Sequence, residues 1–127
     1  MKRSILPRLT FPLLALVLLA GPVRAHEPTK GPNGGMAVDA GAYHVELVAR
    51  AATVDVFVTD SGNQPVPAAG FRGTAILVVD GKAQRIVLSP ADGNRLTGTA
   101  SVPLPANPKG AVQLSLPDGK TAQGKFN

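Results

Sequence analysis

The feature that most constrains this chain is a two-residue alternation of apolar and polar side chains, broken about every 8 to 12 residues by turn-forming clusters. Tyr43-His44-Val45-Glu46-Leu47-Val48-Ala49-Arg50 sets Val45, Leu47 and Ala49 on one side and His44, Glu46 and Val48 on the other. Thr53 to Asp60 alternates more strictly, with Val54, Val56 and Val58 as the row to be buried. A helix needs apolar residues at three- and four-residue spacing, and no stretch after residue 25 supplies such a stripe of useful length. The alternation therefore demands sheet.

The turns divide this sheet into short strands. Ala51-Ala52 is the connection of a hairpin, although it lacks the usual Asn-Gly or Asp-Gly pair. Asp60-Ser61-Gly62-Asn63 is a turn, and Gln64 to Gly70, with Pro65 and Pro67, fits only an edge segment or loop. Gly73–Val79 and Lys82–Leu88 flank Asp80-Gly81, a strong type I′ signal. Pro90-Ala91-Asp92-Gly93 leads into Arg95–Val102, and Pro103 to Gly110 forms a loop. Ala111–Leu116 then turns through Pro117-Asp118-Gly119 into Thr121–Phe126. About seven strands so spaced predict an all-β fold, an immunoglobulin-like antiparallel β-sandwich. Val54, Val56 and Val58 should face Val112, Leu114 and Leu116 across one core.

The first 25 residues read differently. Lys2 and Arg3 are followed by an apolar run through Leu13–Ala20, and Val23-Arg24-Ala25 puts small residues at positions −3 and −1 of a cleavage site. The run is short of the roughly 20 residues of a membrane span, and Pro12 and Pro22 interrupt its edges. The expected divisions are a signal peptide over 1–25, cleaved after Ala25; a Gly/Pro-rich arm with a first short strand over 26–42; and a sandwich domain over 43–127. The expected location is the periplasm, with no membrane anchor after processing. With no cysteine there is no disulfide framework, no thiolate metal site and no lipid-anchored cleavage site.

Charge narrows the function classes. The formal charge of +5 owes much to Lys2, Arg3, Arg8 and Arg24. The rest of the chain holds nearly equal numbers of basic and acidic groups, which leaves no electrostatic footprint for nucleic acid. Aromatic residues for stacking are scarce: beyond the leader there are only Tyr43, Phe57, Phe71 and Phe126, and no Trp. Enzymatic chemistry is poorly supplied as well. The two histidines, His26 and His44, are all a hydrolytic triad would have, no Gly-x-Ser-x-Gly elbow exists, and the glycines are not followed by a Lys-Ser/Thr phosphate loop. No enzyme is expected.

The histidines suit a metal instead. Cleavage after Ala25 makes His26 the first residue, whose α-amine and imidazole Nδ1 can chelate one ion. That amine has a reference pKa of about 8, so it yields its proton to a competing metal far more readily than lysine does. His44 offers another nitrogen, and Glu46, two residues on along a strand, shares its face. Glu27 and Asp39 are possible additional oxygen ligands, and Met36 a possible thioether, although one Met suits a core role better. Nitrogens with a carboxylate favour Cu(II), with Zn(II) next. Against this stands the plainer reading that His44 is an exposed strand histidine, Glu46 its solvated neighbour, and the arm too flexible to bring His26 to them.

The run His26-Glu27-Pro28, Gly31-Pro32-Asn33-Gly34-Gly35 and Tyr43-His44-Val45-Glu46-Leu47-Val48, continued by Val56, Val58, Asp60 and Gln64-Pro65-Val66, resembles small periplasmic domains linked to heavy-metal (copper, zinc, cobalt) efflux. Such glycine and His-x-Glu segments occur near the N-termini of the periplasmic adaptor subunits of these pumps. The resemblance covers about residues 26–70. An exported β-sandwich with a mature N-terminal His is also similar to periplasmic copper-resistance carriers, although this chain lacks a partner motif late in its sequence. The resemblance implies a metal-binding or metal-handling protein acting with an efflux system, with an efflux-pump adaptor as partner. The alternative is a periplasmic interaction module with no metal site of its own. An oxidative copper enzyme built on a histidine brace ranks third, given the small size and the lack of aromatics to grip a polymer.

Overall fold

The computed structural model describes residues 27–127, and these form nine strands and no helix. They are β1 (Thr29–Lys30), β2 (Met36–Ala40), β3 (Tyr43–Arg50), β4 (Thr53–Thr59), β5 (Arg72–Val79), β6 (Lys82–Pro90), β7 (Arg95–Thr99), β8 (Lys109–Ser115) and β9 (Thr121–Phe126). All seven strands read from the alternation are present, and the two others lie in the Gly/Pro-rich segment before Tyr43. The expected signal segment and His26 fall outside the described residues.

Every pairing is antiparallel, in the order β1-β2-β3-β4-β7-β6-β5-β8-β9. The turns follow their local chemistry. Asp80 and Gly81 take φ of 50° and 76°, the pair of left-handed residues that a type I′ hairpin requires. Ala51 accepts φ 50° at the β3–β4 turn in the absence of a glycine. At the end of β4, Asp60 Oδ1 accepts hydrogen bonds from the Gly62 and Gln64 amides, both at 2.9 Å, and closes the turn at Ser61-Gly62-Asn63. β7 stops at Thr99, short of Val102, because the Ala100 and Leu104 amides donate to Ala52 O and Ala51 O across the β3–β4 turn.

The sheet is one curled antiparallel surface. Among the described residues, the hydrogen-bonded ladder between its two halves runs only where the end of β6 meets β7, at Ser89↔Thr97 and Pro90↔Leu96. Curling brings β9 against β2 without a hydrogen-bonded ladder. A methyl on Gly124 would lie 2.8 Å from both Val38 Cγ2 and Val45 Cγ2, so glycine is what lets the two halves meet there. The core lies inside the curl. Val45, Val54, Val56, Val58 and Leu96 of one half are fully buried, as are Ala75, Leu77, Leu88, Val112 and Leu114 of the other. Each buried Val or Leu contributes about 1.5–3 kcal/mol, so these two facing rows hold the curl shut. Leu116 is only partly buried at the margin.

One expectation fails on the outside of β3. An alternating strand at the surface should show solvent its His44-Glu46-Val48 face. Glu46 and Val48 are instead 4% and 7% exposed, so β3 is buried on both faces from Val45 to Val48. What covers them is the segment 29–35, folded back across the strand.

Candidate functional site

The segment Gly31-Pro32-Asn33-Gly34-Gly35 is a closed loop: the Gly31 amide donates to Gly35 O at 2.9 Å and the Gly34 amide to Gly31 O at 3.3 Å. Inside it lies the Glu46 carboxylate. The Asn33 amide donates to Oε2 at 2.9 Å and Oε1 at 3.2 Å, Asn33 Nδ2 donates to Oε1 at 2.9 Å, and the Gly35 amide donates to Oε2 at 2.8 Å. The Asn33 and Gly35 amides, on either side of Gly34, thus converge on one anion, the chain's own carboxylate. The glycines have separate reasons. A methyl on Gly31 would sit 2.2 Å from Glu46 Cδ, and one on Gly35 would sit 2.1 Å from Leu47 O. Gly34 meets nothing within 4 Å and is needed for its φ of 86°. The Gly-Pro-Asn-Gly-Gly and His-x-Glu segments are therefore two halves of one latch.

The latch gives Glu46, one of the candidate metal ligands, partners within the protein. Both of its oxygens are engaged by donors within the protein, and a metal would have to displace them. Among the described residues, no group of three or more His, Cys, Asp or Glu side chains is gathered closely enough to hold a metal. His44 has a different setting. Gly41-Ala42 forms a two-residue hairpin loop with Gly41 at φ 60°, which makes Asp39 and His44 direct partners across β2 and β3. Asp39 Oδ1 lies 2.7 Å from His44 Nδ1, with the two side chains 46% and 35% exposed. A proton on Nδ1 is donated to Asp39 there, and Nε2 is the ring nitrogen turned from that contact. A carboxylate fixing the far nitrogen of a metal-binding histidine is the usual supporting arrangement in such sites. Asp39, expected as a further ligand, thus sits where it orients His44.

His44 and Asp39 line a cleft of about 550 Å³ between the arm and the outer face of β2–β4. Thr29 and Lys30 form one wall, Phe57 and Thr59 line the opposite side, and Asn63, Pro65 and Asn94 contribute from neighbouring turns. Glu27, the residue after His26, lines the same cleft. The Asn94 amide is held in place by donating to Val58 O at 2.9 Å. Beside Phe57, Arg95 pairs with Asp55 at 3.2 Å and with Asp92, and Thr97 Oγ1 donates to Asp55 at 2.7 Å. The Arg95 side-chain hydrogen bond holds the Asp92 carboxyl below the ordinary carboxylate value, and the same contact raises the Arg95 guanidinium. Met36 faces away from this cleft and packs, partly buried, against the core.

Three of the expected residues, Glu27, Asp39 and His44, thus line one cleft, while Glu46 forms its inner wall with the oxygens turned to the loop. The pairing of Asp39 with His44 does not follow from the strand repeat. Its signal is the two-residue Gly-Ala loop between them, which fixes the register. No protein-family model matches this chain, and no curated protein or solved structure matches it either.

Proposed function

We propose that this is an exported, non-enzymatic metal-handling protein of the periplasm. In this proposal it binds Cu(II) in preference to Zn(II) and acts beside a heavy-metal efflux system through that system's adaptor subunit. His44 Nε2 is the ligand from the sheet, and Asp39 holds its ring. The His26 α-amine and imidazole are brought to it by an arm whose next residue, Glu27, already borders the cleft. Glu46 leaves the ligand set and becomes the anchor of the arm. The observation that carries this reading is the Asp39–His44 pair, a half-exposed histidine oriented by a carboxylate at the mouth of a cleft. The same proposal takes the curled sheet as an immunoglobulin-like sandwich, a description supported by its two facing rows of buried valines and leucines.

The test is a calorimetric titration of three proteins with Cu(II): the processed chain beginning at His26, its His44→Ala variant, and a form with one residue added before His26. The parent should bind one ion, more tightly than Zn(II), and more weakly in acid, because protons compete for the same nitrogens. Both altered forms should bind more weakly. Equal binding by all three would overturn the site.

The engagement of Glu46 by the loop favours a second reading. There the latch only shapes a protein-contact surface, and the cleft receives a partner's side chain. Absence of any metal binding by the processed parent would leave that reading standing.

A further inference from the structure

The cleft beside His44, and a second, smaller one bordered by Lys30, Met36, Val48, Arg50 and Asn107, lie on the arm side of the molecule. The other side is the bare outer face of β6-β5-β8-β9, and its composition is unusual for a surface. Register places Arg85, Ile76, Ala111 and Lys125 in one rung across the four strands, with Ala83, Val78 and Lys109 in the next rung and Val87, Thr74, Gln113 and Gln123 on the other side. Arg72 and Ser115 continue the face. No outward position of these strands carries an acid. Val87 and Val78, 69% and 46% exposed, are the exposed large hydrophobic residues among those described. Arg72, Arg85, Lys109 and Lys125 are all exposed, and none is in an ion pair among the described residues. Although basic and acidic groups are nearly balanced over residues 27–127, this face has gathered four unpaired cations around a small apolar centre.

We infer that this sheet face docks on an anionic lipid surface. Charge complementarity names the sign of the partner, and the absence of anchors decides its class. Protein interfaces of useful affinity centre on buried aromatic or arginine anchors in pockets. This face is an open sheet surface whose apolar side chains are short; Phe57, Phe71, Phe126 and Tyr43 all lie elsewhere, and its two arginines, Arg72 and Arg85, stand exposed and line neither cleft. Cationic stems around a shallow apolar centre match a headgroup layer, where charge attraction and limited apolar insertion suffice. The docking does not depend on the proposed metal site, because the two lie on different halves of the curled sheet.

The experiment is vesicle co-sedimentation with chelator present, using protein recovered from the expressing cell with its N-terminus established by intact mass. The protein should sediment with phosphatidylglycerol-containing vesicles and not with pure phosphatidylcholine, and salt should release it as screening shortens the reach of the charges. At about five- to sixfold per cation near such a surface, R85Q combined with K125Q should lower the partition coefficient about 30-fold at low salt. The charge-matched control K30Q with R50Q, on the arm side, should change it by less than about threefold on the same scale. V87S should weaken binding with its salt dependence intact. Unchanged thermal unfolding establishes that each variant is folded. Equal loss in the control pair, or no preference for anionic vesicles, would overturn the inference. So would binding to soluble polyglutamate but not to vesicles, which would make the partner an acidic protein.

Discussion

Replacing Glu46 by Ala tests the latch at its centre. The substitution removes the acceptor of the Gly35 amide, which is buried, and of two Asn33 donors, which are partly buried. A buried donor left without a partner costs about 1–3 kcal/mol, and each partly buried donor, able to turn to water, about 0.5–1.5 kcal/mol. Against this, the variant no longer buries a carboxylate, which returns some of the loss. The net expectation is about 3 kcal/mol, or about 12–24 °C in the unfolding midpoint for a domain of this size. The loss cannot exceed the free energy with which the arm docks, because beyond that point the arm peels away while the sheet stays folded. Amide hydrogen exchange at Gly35 separates the two outcomes. In the parent it should exchange only through opening of the latch, and in the variant nearly as freely as a loop amide. Glu46→Gln keeps one acceptor oxygen and should fall between. An unchanged midpoint together with an equally protected Gly35 amide would refute the reasoning.

Gly35→Ala should weaken the same latch from the other side, since its methyl would meet Leu47 O at 2.1 Å. Combined with Glu46→Ala it should cost little more than either change alone, and additive losses in denaturant titrations would show the two contacts to be independent. Val56→Asp places a carboxyl at a fully buried position and should cost about 5 kcal/mol or more, enough to unfold a domain with the usual margin of about 5–15 kcal/mol. Native circular dichroism and an unchanged midpoint in that variant would contradict the register of β4. The Asp92 carboxyl, lowered by its hydrogen bond from Arg95, contributes stability that is present above its unfolded value and lost as pH falls through its folded one. Arg95→Gln should move the Asp92 titration seen by NMR up toward the ordinary range.

Much of the fold is legible before any coordinates. The period-two rows at Val54/Val56/Val58 and Val112/Leu114 mark their own inward faces, because burial on one side alone writes an alternating pattern. Asp80-Gly81 specifies its turn by residue chemistry. The arm does not reveal itself in this way. Thr29-Lys30 and Met36–Ala40 are too short and too rich in small residues to show a period; Met36–Ala40 pairs along the edge of β3, and Thr29-Lys30 along the edge that β2 then presents. For the same reason His44, Glu46 and Val48 read as a solvated face. Nothing local to β3 says that a loop 11 to 15 residues upstream will cover it. The glycines carried that information in another form, since Gly31 and Gly35 are required by close approach to Glu46 and Leu47 rather than by a turn. The strand repeat joins His44 to Glu46, while the hairpin register joins His44 to Asp39. Both relations follow from β geometry, and only the second brings polar atoms within bonding distance.

The most direct test of the central claim follows the metal to its place on the folded chain. In amide spectra of the nitrogen-15-labelled processed protein, one equivalent of paramagnetic Cu(II) should broaden Glu27, Asp39, Tyr43 and His44 first. Val112 and Gln113, in the other half of the sheet, should stay sharp, and the Gly35 amide should keep its slow exchange because Glu46 stays in its loop. Broadening centred away from the cleft, spread evenly over the chain, or accompanied by release of the Gly35 amide would contradict the account.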